Sequence, residues 1–137
     1  MTPAMDRVLL ALEQATCEAF RTAETTLPAD VVAALEQALL REKNDIARGE
    51  LGNILANIAM AGERCLPICQ DTGVPVVYLT IPPDIPLTAS LYSAVAEGVR
   101  EATRTVPLRP NVVDPLTRGN TGDNTGAGMP AIHLIPG

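Results

Sequence analysis

The chain has 137 residues, 47% of them apolar, 19% charged and 2% aromatic. That length allows one domain with a core of its own, and the apolar fraction excludes a disordered chain. Ten Lys and Arg against 16 Asp and Glu give a formal net charge of -6, which argues against phosphate-neutralising nucleic-acid binding and against an anionic membrane surface.

With two Tyr, one Phe and no Trp, the core must come from Leu, Ile, Val, Ala and Met. No charge-free stretch is long and unbroken enough to cross a bilayer. The start of the chain has no basic segment followed by an apolar run, so no secretory signal is expected. Three cysteines are an odd number, which suits a reducing compartment better than a disulfide framework. The expected setting is cytoplasmic.

The first two-thirds reads mostly as helix. Thr2 and Pro3 form a start signal, Thr as a cap and Pro at the first helical position. Met5, Leu9, Leu12, Thr16 and Phe20 then recur near every 3.6 residues, one apolar stripe. A second helix is expected from Pro28, with Val31, Val32, Leu35, Ala38 and Leu39 on its inner face. A third is expected over 48–62, with Leu51, Ile54, Leu55 and Ile58 as its stripe and Gly62 as its stop.

Residues 74–80 are β-branched and aromatic and read as a strand. Pro75 donates no amide, so it belongs at the strand start or on an edge. Thr88 or Ser90 can cap a fourth helix carrying Leu91, Ala94, Val95, Gly98, Val99 and Ala102. Its small-residue face suits close packing against a sheet. Residues 105–130 lack periodicity, and loops of that length are functional or disordered. The repeated Asn-Thr-Gly at 120–122 and 124–126 favours an ordered loop with tight turns. A last strand is expected at 131–135.

The densest group of reactive side chains is Cys69, Gln70, Asp71 and Thr72, followed by Gly73, in a loop between a helix end and a strand. Cys65 and Cys69 give a C-x3-C pair, which lacks the partners of a complete zinc site. Cys17 and Cys65 read as small buried or half-buried hydrophobes. His133 falls on the opposite strand face from Ile132 and Leu134. Arg109 stands in a Pro-rich loop, either as a solvated charge or as a planar fork for a carboxylate. The Asn-Thr-Gly repeats serve either turn chemistry or an anion-binding concavity of free amides.

Two segments carry a more specific pattern. Leu66-Pro67-Ile68-Cys69-Gln70-Asp71-Thr72-Gly73, with the Val-rich strand after it, resembles a signature of the iron–sulfur hydro-lyases, the class I fumarases and the alpha subunits of L-tartrate dehydratase. Asn111-Val112-Val113-Asp114-Pro115-Leu116-Thr117-Arg118-Gly119-Asn120-Thr121-Gly122-Asp123-Asn124-Thr125 resembles the second block of the alpha-type half. Gly52-Asn53-Ile54-Leu55 also fits.

The resemblance implies a 4Fe–4S cluster on three cysteines, used as a Lewis acid. The reaction it implies is reversible loss of water from a 2-hydroxy dicarboxylate such as malate or tartrate. Cys69 then matches the first cluster ligand. Gln70 and Asp71 match polar residues facing the substrate, with Asp71 also able to position or accept the proton leaving carbon. Arg109 matches an arginine that binds a substrate carboxylate. Cys17 and Cys65 match no ligand.

In the family the remaining ligands lie beyond Gly137, and further groups come from a beta-type subunit or C-terminal domain. The chain is therefore expected to be the N-terminal, truncated part of one alpha-type catalytic domain over 1–137, inactive alone and holding no full ligand set. The expected fold is α+β, helices on a small, incomplete, mainly antiparallel sheet, with exposed edges favouring a homo-oligomer such as a dimer. The alternatives are a non-catalytic assembly or dicarboxylate-binding module, and a redox-sensing thiol pair at Cys65 and Cys69.

Overall fold

The computed structural model describes residues 3–137, and the cap expected at Thr2 lies outside them. The elements follow as α1 (Pro3–Thr25), α2 (Ala29–Arg41), α3 (Asp45–Arg64), β1 (Val76–Ile81), α4 (Ala89–Thr105) and β2 (Ala131–Pro136). Each expected helix and strand is present, so the fold is α+β.

The main differences in extent occur in α3. The helix starts earlier than expected because the Asn44 side chain accepts from Ile46 N at 3.0 Å and Ala47 N at 3.1 Å. These are two of the amides that a helix N-terminus leaves unpaired. The helix also runs past Gly62 and stops at Cys65, whose left-handed φ of 52° turns the chain out. Leu66 N then closes on Ala61 O at 3.1 Å, and this bond supports the stop that glycine more often provides.

The sheet corrects the sequence reading. β1 and β2 pair in parallel, from Val76 opposite Ala131 to Ile81 opposite Pro136, where a mainly antiparallel sheet was expected. The connection explains the sense of pairing. A helix and a long loop separate the strands, and a crossover of that length returns the chain in the same direction. Pro75 sits just ahead of β1, buried, with its carbonyl accepting from Ala131 N at 3.0 Å. Its missing amide therefore costs the sheet nothing.

α4 is the spine of the core. Leu91, Ala94, Val95, Gly98, Val99 and Ala102 are all buried on it, and full burial of a Val or Leu contributes about 1.5–3 kcal/mol. Leu91 and Val95 line one small apolar gap with Leu79, Ile132 and Leu134 of the sheet. The small-residue part of the face packs on α1 rather than on the sheet. A Cβ placed on Gly98 would lie 2.5 Å from Glu13 O and 2.6 Å from Thr16 Cβ. α2 leans on α3 and buries no residue of its own, and Val31, expected inside, is 40% exposed.

The long loop is ordered by the turn chemistry its composition suggests. Asp114 Oδ1 accepts from Leu116 N and Thr117 N at 2.9 and 2.7 Å. Asn120 Oδ1 accepts from Gly122 N at 2.7 Å. Asp123 Oδ1 accepts from Thr125 N and from the hydroxyls of Thr121 and Thr125 at 2.6–3.0 Å. Side chains of this kind close turns on their own backbone.

Candidate functional site

The segment after α3 is pinned at its start. Ile68 N donates to Glu24 O at 2.9 Å, and Asn57 Nδ2 donates to Ile68 O at 2.7 Å. Both main-chain groups of Ile68 are thereby fixed, to α1 and to α3, immediately before Cys69. Cys69 is exposed, and its thiol donates to Asp71 O at 3.3 Å. Asp71 Oδ1 accepts from Gly73 N at 3.3 Å. Gly73 has φ +62°, which lets the loop turn sharply into β1.

The second segment follows α4. Val106 and Leu108 are buried while Arg109 between the prolines is exposed, so the backbone is anchored and the guanidinium faces outward. Arg109 Nη2 donates to Gln70 Oε1 at 3.0 Å, across 39 residues of sequence. The backbones are joined as well. Thr72 Oγ1 donates to Arg109 O at 3.1 Å, and Asn111 Nδ2 donates to Gly73 O at 2.9 Å. The fold thus brings together Cys69, Gln70, Asp71 and Arg109, the residues that sequence singled out.

The cluster lies on open surface beside a cleft of about 660 Å³, whose lining includes Asn111, Asp114, Asn120 and Thr125. Asn111 belongs to both. Thr72 and Asn111 join the two segments, Asn57 ties the first of them to α3, and sequence reading gave them no such role. Their signal was faint: polar residues that can bridge backbone groups, in loops where turns alone would account for them.

Glu24 is a further residue without a sequence signal. It ends α1 half-buried, and its carboxyl is raised above the usual range by burial and by the charge of Asp71. Two carboxylates therefore stand within electrostatic reach near the loop. His133 does not join the site. It is exposed on β2 and stacks on Tyr78 at 4.9 Å between ring centroids.

The other two thiols sit in different settings. Burial raises the Cys17 thiol, against a smaller lowering by the Thr105 hydroxyl of α4. Cys65 is half-buried at the end of α3, beside Arg21. Among the described residues, no group of three His, Cys, Asp or Glu side chains could hold a metal. Cys69 is a single outward thiol followed by the amide of Gln70, which holds the Arg109 guanidinium, and by the carboxylate of Asp71, a donor set with room for one thiolate ligand and no more.

The sequence model of the family described as fumarate hydratase (Fumerase) matches residues 13–136. A Methanocaldococcus jannaschii protein, provisionally named L(+)-tartrate dehydratase subunit alpha, is 44% identical over 85% of this chain and 42% of its own length. The L(+)-tartrate dehydratase subunit alpha of Escherichia coli K12 is 35% identical over 82% of this chain and 38% of its own length. A Geobacillus stearothermophilus protein, provisionally named fumarate hydratase class I, is 40% identical over 80% of this chain and 21% of its own length. The chain thus spans less than half the length of these relatives.

Proposed function

The chain belongs to the fumarate hydratase family, and from that membership we propose that it supplies part of the active site of a hydro-lyase. The substrate class is a small 2-hydroxy dicarboxylate, malate or tartrate, which loses water reversibly. The reading is carried by the Arg109–Gln70 contact at 3.0 Å beside the outward thiol of Cys69.

Each residue's part follows from its chemistry. Arg109 offers a planar pair of N–H donors to a substrate carboxylate, and its backbone is fixed before the ligand arrives. Gln70 holds that guanidinium and presents its own amide to a substrate oxygen. The Asp71 carboxylate, with one oxygen engaged by Gly73 N, takes up the proton leaving the carbon next to the carboxylate. Cys69 holds one corner of a 4Fe–4S cluster whose other ligands lie outside this chain. When bound, the cluster supplies a Lewis-acidic iron that activates the departing hydroxyl.

In this reading residues 1–137 are the N-terminal part of an alpha-type catalytic domain that works with a beta-type subunit or domain, in the reducing cytoplasm that free thiols suit. The chain alone neither keeps a stable cluster nor turns over substrate. Anaerobic addition of iron and sulfide is expected to leave no stable thiolate-to-iron absorption. A full cluster on this polypeptide would refute the ligand assignment.

L-malate binding to the iron-free chain, followed by calorimetry, tests the carboxylate site. Arg109→Ala is expected to weaken it at least about tenfold, as loss of a charged hydrogen bond would. Equal affinity in the variant would refute the role of Arg109. Carboxylate binding that persists when the family's remaining portion and a beta-type subunit are added, without hydratase activity, would instead favour a non-catalytic binding module.

A further inference from the structure

Asn124 is 5% exposed and holds a left-handed φ of 60°. Its carboxamide is used on every side. Oδ1 accepts from Asn111 N at 2.7 Å and from Val112 N at 3.4 Å. Nδ2 donates to Arg109 O at 3.1 Å and to Thr103 Oγ1 at 3.3 Å. A carboxamide has two donor hydrogens and two acceptor lone pairs, and here all four have partners. Thr103 is itself held to α4, donating from its hydroxyl to Val99 O at 2.8 Å.

Arg109 O accepts from both sides, from Thr72 at 3.1 Å and from Asn124 at 3.1 Å. A continuous polar path therefore runs from the core helix through Thr103 and Asn124 to Arg109, and on to the loop that carries Cys69 and Gln70. Aspartate in place of Asn124 would turn two donors into acceptors facing a carbonyl and a hydroxyl. Alanine would strand buried main-chain groups that now have partners. The left-handed backbone further favours Asn, Asp or Gly.

We propose that Asn124 is a positioning residue that fixes the Arg109–Gln70 pair for a substrate carboxylate. It never meets the ligand; it holds the main chain from which the guanidinium extends. The inference rests on the reading of Arg109 as the carboxylate-binding cation.

The test is Asn124→Gly in the full chain, since glycine accommodates the positive φ while the carboxamide is removed. The readout is the order of the Arg109 side chain, from the heteronuclear NOE of its Nε–H, alongside amide protection along α4. The resonance is assigned by its loss in Arg109→Lys. The variant is expected to lose Arg109 order while α4 stays protected, and to bind L-malate about tenfold more weakly. An unchanged NOE in a folded variant would overturn the proposal, even if the melting temperature fell. If Asn124→Gly does not fold, Thr103→Val removes the hook on α4 and is read in the same way. Wild-type protein that binds no L-malate would sink the carboxylate reading, while the NOE would still decide whether Asn124 positions Arg109.

Discussion

The contact between Arg109 and Gln70 sets what individual substitutions can do. Lys at position 109 keeps the charge but loses the two-pronged geometry. Arg109→Lys is therefore expected to recover only part of the L-malate affinity lost in Arg109→Ala, measured by calorimetry. Full recovery would mean that charge alone suffices. Asp123 offers a separate test in acid. Its carboxyl is lowered from an ordinary 3.8 to about 2, chiefly by the Thr121 hydroxyl, with Thr125 and the Arg100 charge adding. A lowered value in the folded state stabilises above the unfolded value and is lost as pH falls through the folded one. The stabilisation is thus full above about pH 4 and gone below about pH 2. Asp123→Ala is expected to cost about 1–2 kcal/mol at pH 7 and to flatten the acid limb of a urea-midpoint profile. An acid limb identical to wild type would contradict this.

Among the elements, the crossing of α1 and α4 is the least forgiving. Ala in place of Gly98 gains roughly 1 kcal/mol of helix propensity. It also sets a methyl 2.5 Å from the Glu13 carbonyl, which is main chain and cannot rotate away. Overpacking of that kind costs about 1–3 kcal/mol, occasionally more, so the clash outweighs the propensity. Gly98→Ala is expected to lower the urea midpoint, and a raised midpoint would show that the helices can part freely. At the start of α3, Asn44→Ala removes the acceptor of two amides and should cost about 1 kcal/mol. Thermal melts followed by circular dichroism would report it.

For the molecule as a whole, two parallel strands make an incomplete sheet, because parallel sheets are covered on both faces and rarely stop at two strands. The outward face carries Tyr78 at 70% exposure and Val76 at 45%. α2 and α3 add exposed Leu40 at 76% and Ile46 at 79%. Apolar surface and free strand edges of this extent favour association. Sedimentation equilibrium is expected to show an apparent mass that rises with concentration, and a monomer at every concentration would contradict it.

The local elements were legible because they depend on neighbours in sequence. The stripe through Leu12, Thr16 and Phe20, the β-branched run into β1, and the Asn, Asp and Thr turns each satisfy their backbone within a few residues. Cys69, Gln70, Asp71 and Arg109 stood out through motif pattern and resemblance, before any contact between them was known. Alternation of apolar residues is the same for either sense of pairing and left the direction of β2 open; the helix and long loop expected between the strands were the signal for a parallel return. Asn124, Asn111 and Thr72 were beyond the reach of sequence. Their value comes from carbonyls and amides 12 to 38 positions away, and a polar residue in a loop looks alike whether it closes its own turn or ties two segments together. Motif pattern and resemblance singled out the candidate side chains; the tertiary structure alone decided which backbone groups hold them in place, because that depends on proximity in space.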